Sequence, residues 1–163
     1  MMQQIENALE YVLRVIAMLS LALLFCLILI NVAARSFELA SFAWFDEIVR
    51  GCFAYMVFFG AASLWLKQDH FHVDILDAML GPGKARWALR SFVALLCLGF
   101  LFVMTFYGGI LFNKANAMTP ILQIPERLFY AAIPISGAVM MLHSVRRLIT
   151  ETLNTFSTGD PNV

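Results

Sequence analysis

Charge is scarce in this sequence, and it is missing altogether between positions 15 and 34. Only 13% of the 163 residues are charged and 61% are hydrophobic, where soluble domains are about a quarter charged. That balance suits a bilayer rather than water. The eleven basic and eleven acidic residues cancel to zero, so the concentrated basic face of a nucleic-acid binder is absent. The three cysteines, Cys26, Cys52 and Cys97, are scattered through apolar runs. They lie too far apart for a metal motif, and a disulfide is not expected inside a membrane span. They read as small apolar packing residues. The sequence has no internal repeat and no low-complexity tract. No Asp, Glu, Lys or His falls in the middle of any long apolar run. A proton- or cation-coupled pump working alone needs such a group at membrane depth, so the absence argues against a self-sufficient transporter.

What the chain does contain is apolar runs of bilayer length. The run 15–34 holds about twenty residues, which at 1.5 Å each cover the hydrocarbon core. A cleaved signal peptide would be shorter in its apolar part and basic in its lead. Here Glu6 and Glu10 stand against a single Arg14, which favours a retained helix. A second span is expected over 45–66, with Asp46, Glu47 and Arg50 on its first turns. A third is expected over 88–112. The fourth, 124–143, reaches full length only with interfacial residues and is interrupted by Pro134, which predicts a kink. The fold class is therefore all-α and membrane-integral, a four-helix domain over 1–152 followed by a disordered polar tail over 153–163.

Four spans put both termini on one side. Arg14, Lys67, Lys84, Arg86, Arg90, Arg146 and Arg147 fall on that side, seven against the four of Arg35, Arg50, Lys114 and Arg127. The positive-inside rule then places both termini and the central loop in the cytoplasm. Within that loop Phe71, Val73, Ile75, Leu76, Met79 and Leu80 mix with His72, Asp74 and Asp77 before Gly81-Pro82-Gly83. The pattern predicts a short amphipathic segment lying on the cytoplasmic membrane face. Small residues mark packing faces at Gly60-Ala61-Ala62-Ser63, and again at Ala132, Ser136 and Gly137.

Few residues invite chemistry. Asp46 and Glu47 suit the positive end of a helix dipole, and Arg50 follows within one turn, able to pair with either. The cluster reads either as a self-neutralised helix start or as a docking contact for a partner. Arg35 closes the first span on the same outer side, either snorkelling to the headgroups or meeting an acidic partner surface. His70, His72 and His143 could suggest haem, but axial ligands must come from facing helices at membrane depth. His70 and His72 lie in the loop and His143 at a helix end. No cofactor and no metal site are expected.

These residues assemble into a pattern that resembles the small membrane subunit, the DctQ-like or Q subunit, of tripartite ATP-independent periplasmic (TRAP) transporters. Three stretches carry the resemblance. One is Asn31-Val32-Ala33-Ala34-Arg35. Another is Trp44-Phe45-Asp46-Glu47-Ile48-Val49-Arg50, continuing through Phe59-Gly60-Ala61-Ala62 to His70-Phe71-His72-Val73-Asp74. The last is Thr119-Pro120-Ile121-Leu122-Gln123-Ile124-Pro125, leading to Tyr130-Ala131-Ala132-Ile133-Pro134. The resemblance implies a non-catalytic subunit of a sodium-coupled importer of organic acids in the bacterial inner membrane. Its implied partners are a large membrane subunit (M), carried on a separate polypeptide, a periplasmic substrate-binding protein (P), and membrane lipid. It nominates Arg35, Asp46, Glu47 and Arg50 for the partner-binding outer face and His72 and Asp74 for the cytoplasmic turn. Pro120, Pro125 and Pro134 are nominated as shaping the last helix. Two other readings stay open on the residues alone. One is a membrane anchor of a respiratory or haem enzyme; the other is a small homo-oligomeric exporter, which would need an ionisable residue facing a pore.

Overall fold

The computed structural model describes residues 2–38, 42–67 and 84–158. Helices dominate them: α1 (Met2–Ser36), α2 (Phe45–Leu66), α3 (Lys84–Lys114), the single turn α4 (Arg127–Tyr130) and α5 (Ala132–Thr158). Four stretches are long and apolar enough to cross a membrane: Glu6–Ser36, Phe45–Leu66, Phe92–Lys114 and Arg127–Ile149. The all-α, four-span architecture expected from the sequence is thus present.

The helices pack in a row. α1 lies on α2, α2 on α5, and α5 on α3, so α1 and α3 are the edges. Burial follows that order. Of the most apolar window in each span, 6% is buried in α1 and 11% in α3, against 22% in α2 and 28% in the last span. The core is a narrow seam of Leu13, Ala17, Phe59, Ala62, Leu101, Ala132 and Met140. Leu19, Leu23 and Phe25 of α1, and Phe92, Phe100 and Phe106 of α3, stay exposed. In lipid such faces carry no penalty, because acyl chains are as apolar as leucine.

Small residues set the approach of neighbouring helices. Gly60 comes against Ala17, joining α2 to α1. A Cβ at Gly108 would lie 2.7 Å from Ile133 Cγ2, and one at Gly137 would lie 2.5 Å from Thr105 Oγ1, so α3 and α5 touch almost backbone to backbone. Position 108 faces 133 while 105 faces 137, the register of an antiparallel pair.

Several helices run past the spans expected from the sequence, most of all at the start of α1 and the end of α5. α1 begins well before position 15, because Glu10 and Arg14 pair at i,i+4 on one face and hold the first turns helical. α5 continues to Thr158, past the expected start of the tail at 153, because no helix breaker occurs before Gly159 and Pro161. Ala131, between α4 and α5, keeps helical angles, with its amide donating to the Arg127 carbonyl and its carbonyl accepting from the Ile135 amide, so the chain runs from α4 into α5 as one stretch long enough to cross a membrane.

Candidate functional site

Polar contacts gather at the two ends of the row. The start of α1 and the ends of α2 and α5 share one end, which we call the terminal end. The end of α1, the start of α2 and the segment 115–126 share the other, the distal end.

At the distal end, residues 115–126 fold into a compact loop. The Thr119 amide donates to the Ile124 carbonyl at 2.9 Å, and the Ile124 amide returns a bond to Thr119 Oγ1 at 3.0 Å. Glu126 donates to Ala117 at 3.0 Å, and Met118 and Pro125 form an isolated bridge. Gln123 holds a φ of 54°, and its amide donates to the Thr119 carbonyl at 3.2 Å. That turn leaves the amides of Ile121 and Leu122 pointing outward, like the orphan donors of a helix's first turn. Glu47 takes both. The Ile121 amide donates to Oε1 at 2.8 Å and the Leu122 amide to Oε2 at 2.9 Å. The side chain that the sequence placed on an open face is therefore turned inward, 6% exposed, and acts as the loop's fastener.

Arg50 acts electrostatically on Glu47 of its own helix, and it also forms an ion pair with Glu126 at 3.6 Å. A helix start needs its carboxylates for orphan amides, and Glu47 finds those on the loop. Tyr55 donates to the Leu128 carbonyl at 2.8 Å, and a Cβ at Gly51 would press on Phe129. Three successive turns of α2 thus grip the loop and α4. Arg35 and Asp46 are exposed, as is Pro120; Pro125 and Pro134 are half-buried. Arg35 and Lys114 close α1 and α3, where cations complement the helix dipole.

The terminal end holds a second network, whose partners the sequence reading did not connect. Glu10 is 8% exposed. Its Oε1 accepts from Ser63 Oγ at 3.3 Å and faces Arg14 Nε at 3.4 Å and Lys67 Nζ at 3.8 Å. Glu6 meets Arg146, and its carboxylate lies 3.6 Å from His143 Nδ1. Trp65 Nε1 donates to Ser144 Oγ at 2.8 Å, and Ser144 donates to the Met140 carbonyl. The four-residue spacing of Glu6, Glu10 and Arg14, and of Ser63 and Lys67, was the available signal. His72 and Asp74, with His70 and the expected amphipathic segment, lie outside the described residues.

Glu6, Glu10, Glu47 and Glu126 are each engaged by partners in the chain itself, while Asp46 stays exposed. Residues 24–154 match the profile of the DctQ component of tripartite ATP-independent periplasmic transporters. The chain belongs to this family. A protein of Haemophilus influenzae described as a TRAP transporter small permease is 26% identical over 151 residues, covering 92% of this chain and 93% of the relative. A second protein from that organism, described in the same words, is 28% identical over 135 residues, covering 82% of this chain and 78% of the relative. Membership makes the chain a transporter component.

Proposed function

We propose that this DctQ-family chain is the non-catalytic small subunit of a sodium-coupled importer of organic acids. Its edge helices brace a large membrane subunit, and its distal end helps to receive a periplasmic substrate-binding protein. The family match carries the reading. Two observations are consistent with it: no Asp, Glu, Lys or His occupies the middle of a span, and the edge helices present apolar faces. The positive-inside count supports an inner-membrane orientation with both termini cytoplasmic, which makes the distal end periplasmic.

On the distal end the roles divide. Arg35, Asp46 and Arg50 are exposed and are the groups a soluble partner can reach. Glu47 serves the same surface by shaping the loop that carries Ile121 and Leu122.

The test has two parts. A tagged chain solubilised in mild detergent is expected to recover a stoichiometric large polytopic partner; recovery of the chain alone, or with a soluble redox enzyme, refutes the subunit reading. Arg35→Glu is expected to impair uptake while the membrane complex is recovered in normal yield. Normal uptake by that variant removes Arg35 from docking and leaves the bracing role standing.

A further inference from the structure

Arg14 and Lys67 bring two cations to the same depth at the terminal end. Arg14 immediately precedes the charge-free stretch 15–34, and Lys67 directly follows the last residue of α2. Both therefore stand where hydrocarbon gives way to headgroups. They are held together from within, since Glu10 Oε1 lies 3.4 Å from Arg14 Nε and 3.8 Å from Lys67 Nζ. Ser63 fixes that same oxygen with a hydrogen bond of 3.3 Å.

One carboxylate cannot neutralise two cations, so the trio keeps a positive charge. The charge also has a direction. Glu10 is buried, but the side chains of Arg14 and Lys67 are 39% and 41% exposed. What the cluster presents outward is cationic. The exposed Tyr11 ring lies beside the Arg14 guanidinium, 5.9 Å from its centroid, and adds apolar surface at the same level. Glu6, the neighbouring carboxylate of α1, is engaged by Arg146 and His143 and does not reach this pair in the contacts described.

We propose that Arg14 and Lys67 bind the phosphate of an anionic phospholipid headgroup, with Glu10 and Ser63 positioning the two cations. A guanidinium offers a planar fork and an ammonium a compact charge, and both suit a phosphate oxygen. A lipid fits better than a free anion because exposed apolar residues continue along the Arg14 side of α1, at Met18 and Leu21, along which acyl chains can lie. Basic residues flanking a span attract anionic lipid in this way. The site does not depend on the docking reading, since it lies at the opposite end of the row.

The experiment is native mass spectrometry of the full chain offered phosphatidylglycerol and phosphatidylcholine in equal amounts. The unmodified chain is expected to retain phosphatidylglycerol preferentially. The preference should fall about fivefold in Arg14→Gln and about thirtyfold in the Arg14→Gln/Lys67→Gln double variant. It should persist in Arg14→Lys, and in Lys114→Gln, which removes a cation at the distal end. Circular dichroism of each variant checks that the helices remain, and Lys67→Gln alone serves if the double variant does not fold. Equal preference in the unmodified and charge-removed chains overturns the proposal. Displacement of the lipid by the same concentration of soluble glycerol phosphate also overturns it, by making the site one for a free anion.

Discussion

Gly108→Ala tests the closest helix contact in the row. The added methyl carbon would sit 2.7 Å from Ile133 Cγ2, and 3.3 Å from both Ile133 Cβ and Pro134 Cδ. The first distance is 0.7 Å short of ordinary van der Waals contact, which begins at 3.4 Å. Rotating Ile133 about χ1 relieves that overlap at the expense of a strained rotamer. It does not relieve the other two, which involve a Cβ fixed to the backbone and a closed ring. α3 and α5 must therefore separate by a few tenths of an ångström along their shared seam. Overpacking of this kind costs about 1–3 kcal/mol, and replacing a helical glycine by alanine returns about 1 kcal/mol. The net effect of the single change is small enough to be ambiguous, so the informative quantity is the coupling. Ile133→Ala removes Cγ2, and in that background Gly108→Ala meets only the two 3.3 Å contacts. The double variant should be more stable than the sum of the single changes by about 1 kcal/mol. Reversible unfolding in mixed detergent micelles, followed by helical circular dichroism, measures all four corners of the cycle. Additivity within about 0.5 kcal/mol would mean that Gly108 and Ile133 do not touch, and the α3–α5 register would be wrong.

Other expectations follow from named contacts. Glu47→Ala should speed amide hydrogen exchange at Ile121 and Leu122 by about tenfold or more, because each amide loses a charge-assisted partner. Glu47→Gln, which keeps a single carbonyl oxygen, should release one amide and spare the other; unchanged exchange in both variants would exclude the fastening role. Trp65→Phe removes the 2.8 Å bond to Ser144 and should cost about 1 kcal/mol. Adding Ser144→Ala to that variant should cost less than Ser144→Ala alone, and full additivity would show that the bond is not made.

The parts of this fold legible in the sequence are those set by the bilayer. A charge-free run of bilayer length has few alternatives, and the four spans follow from such runs. Long-range pairings were not legible. Glu10 and Ser63 are 53 residues apart, Trp65 and Ser144 79, and Glu47 and Ile121 74. Nothing in local spacing selects such partners. Arg50 shows what local spacing misses: Asp46 and Glu47 are its neighbours on the same helix, and the loop adds Glu126. Thr119, at the head of the third stretch, closes the loop with both its backbone and its hydroxyl, a role that local spacing does not signal.

These polar contacts also explain how a row of helices acquires one register. Between transmembrane helices the hydrophobic effect supplies little preference, because lipid solvates apolar faces as well as another helix does. Register must come from shape and from polar groups that are costly to leave unpaired. The small residues supply shape in mid-span, at Gly60 against Ala17 and at Gly108 and Gly137 between α3 and α5. The carboxylates supply the rest at the ends: Glu10 bridges α1 to α2, Glu6 joins α1 to α5, and Glu47 ties α2 to the loop ahead of α4. Sliding a helix by one turn moves such a side chain about 5.4 Å, well beyond hydrogen-bond reach, and strands a charge in a poorly solvated place. The acids at the ends therefore fix the register of helices whose apolar faces alone would slide. The two edge helices need no such groups on their outward faces, and those faces stay available to lipid or to the other components of the transporter.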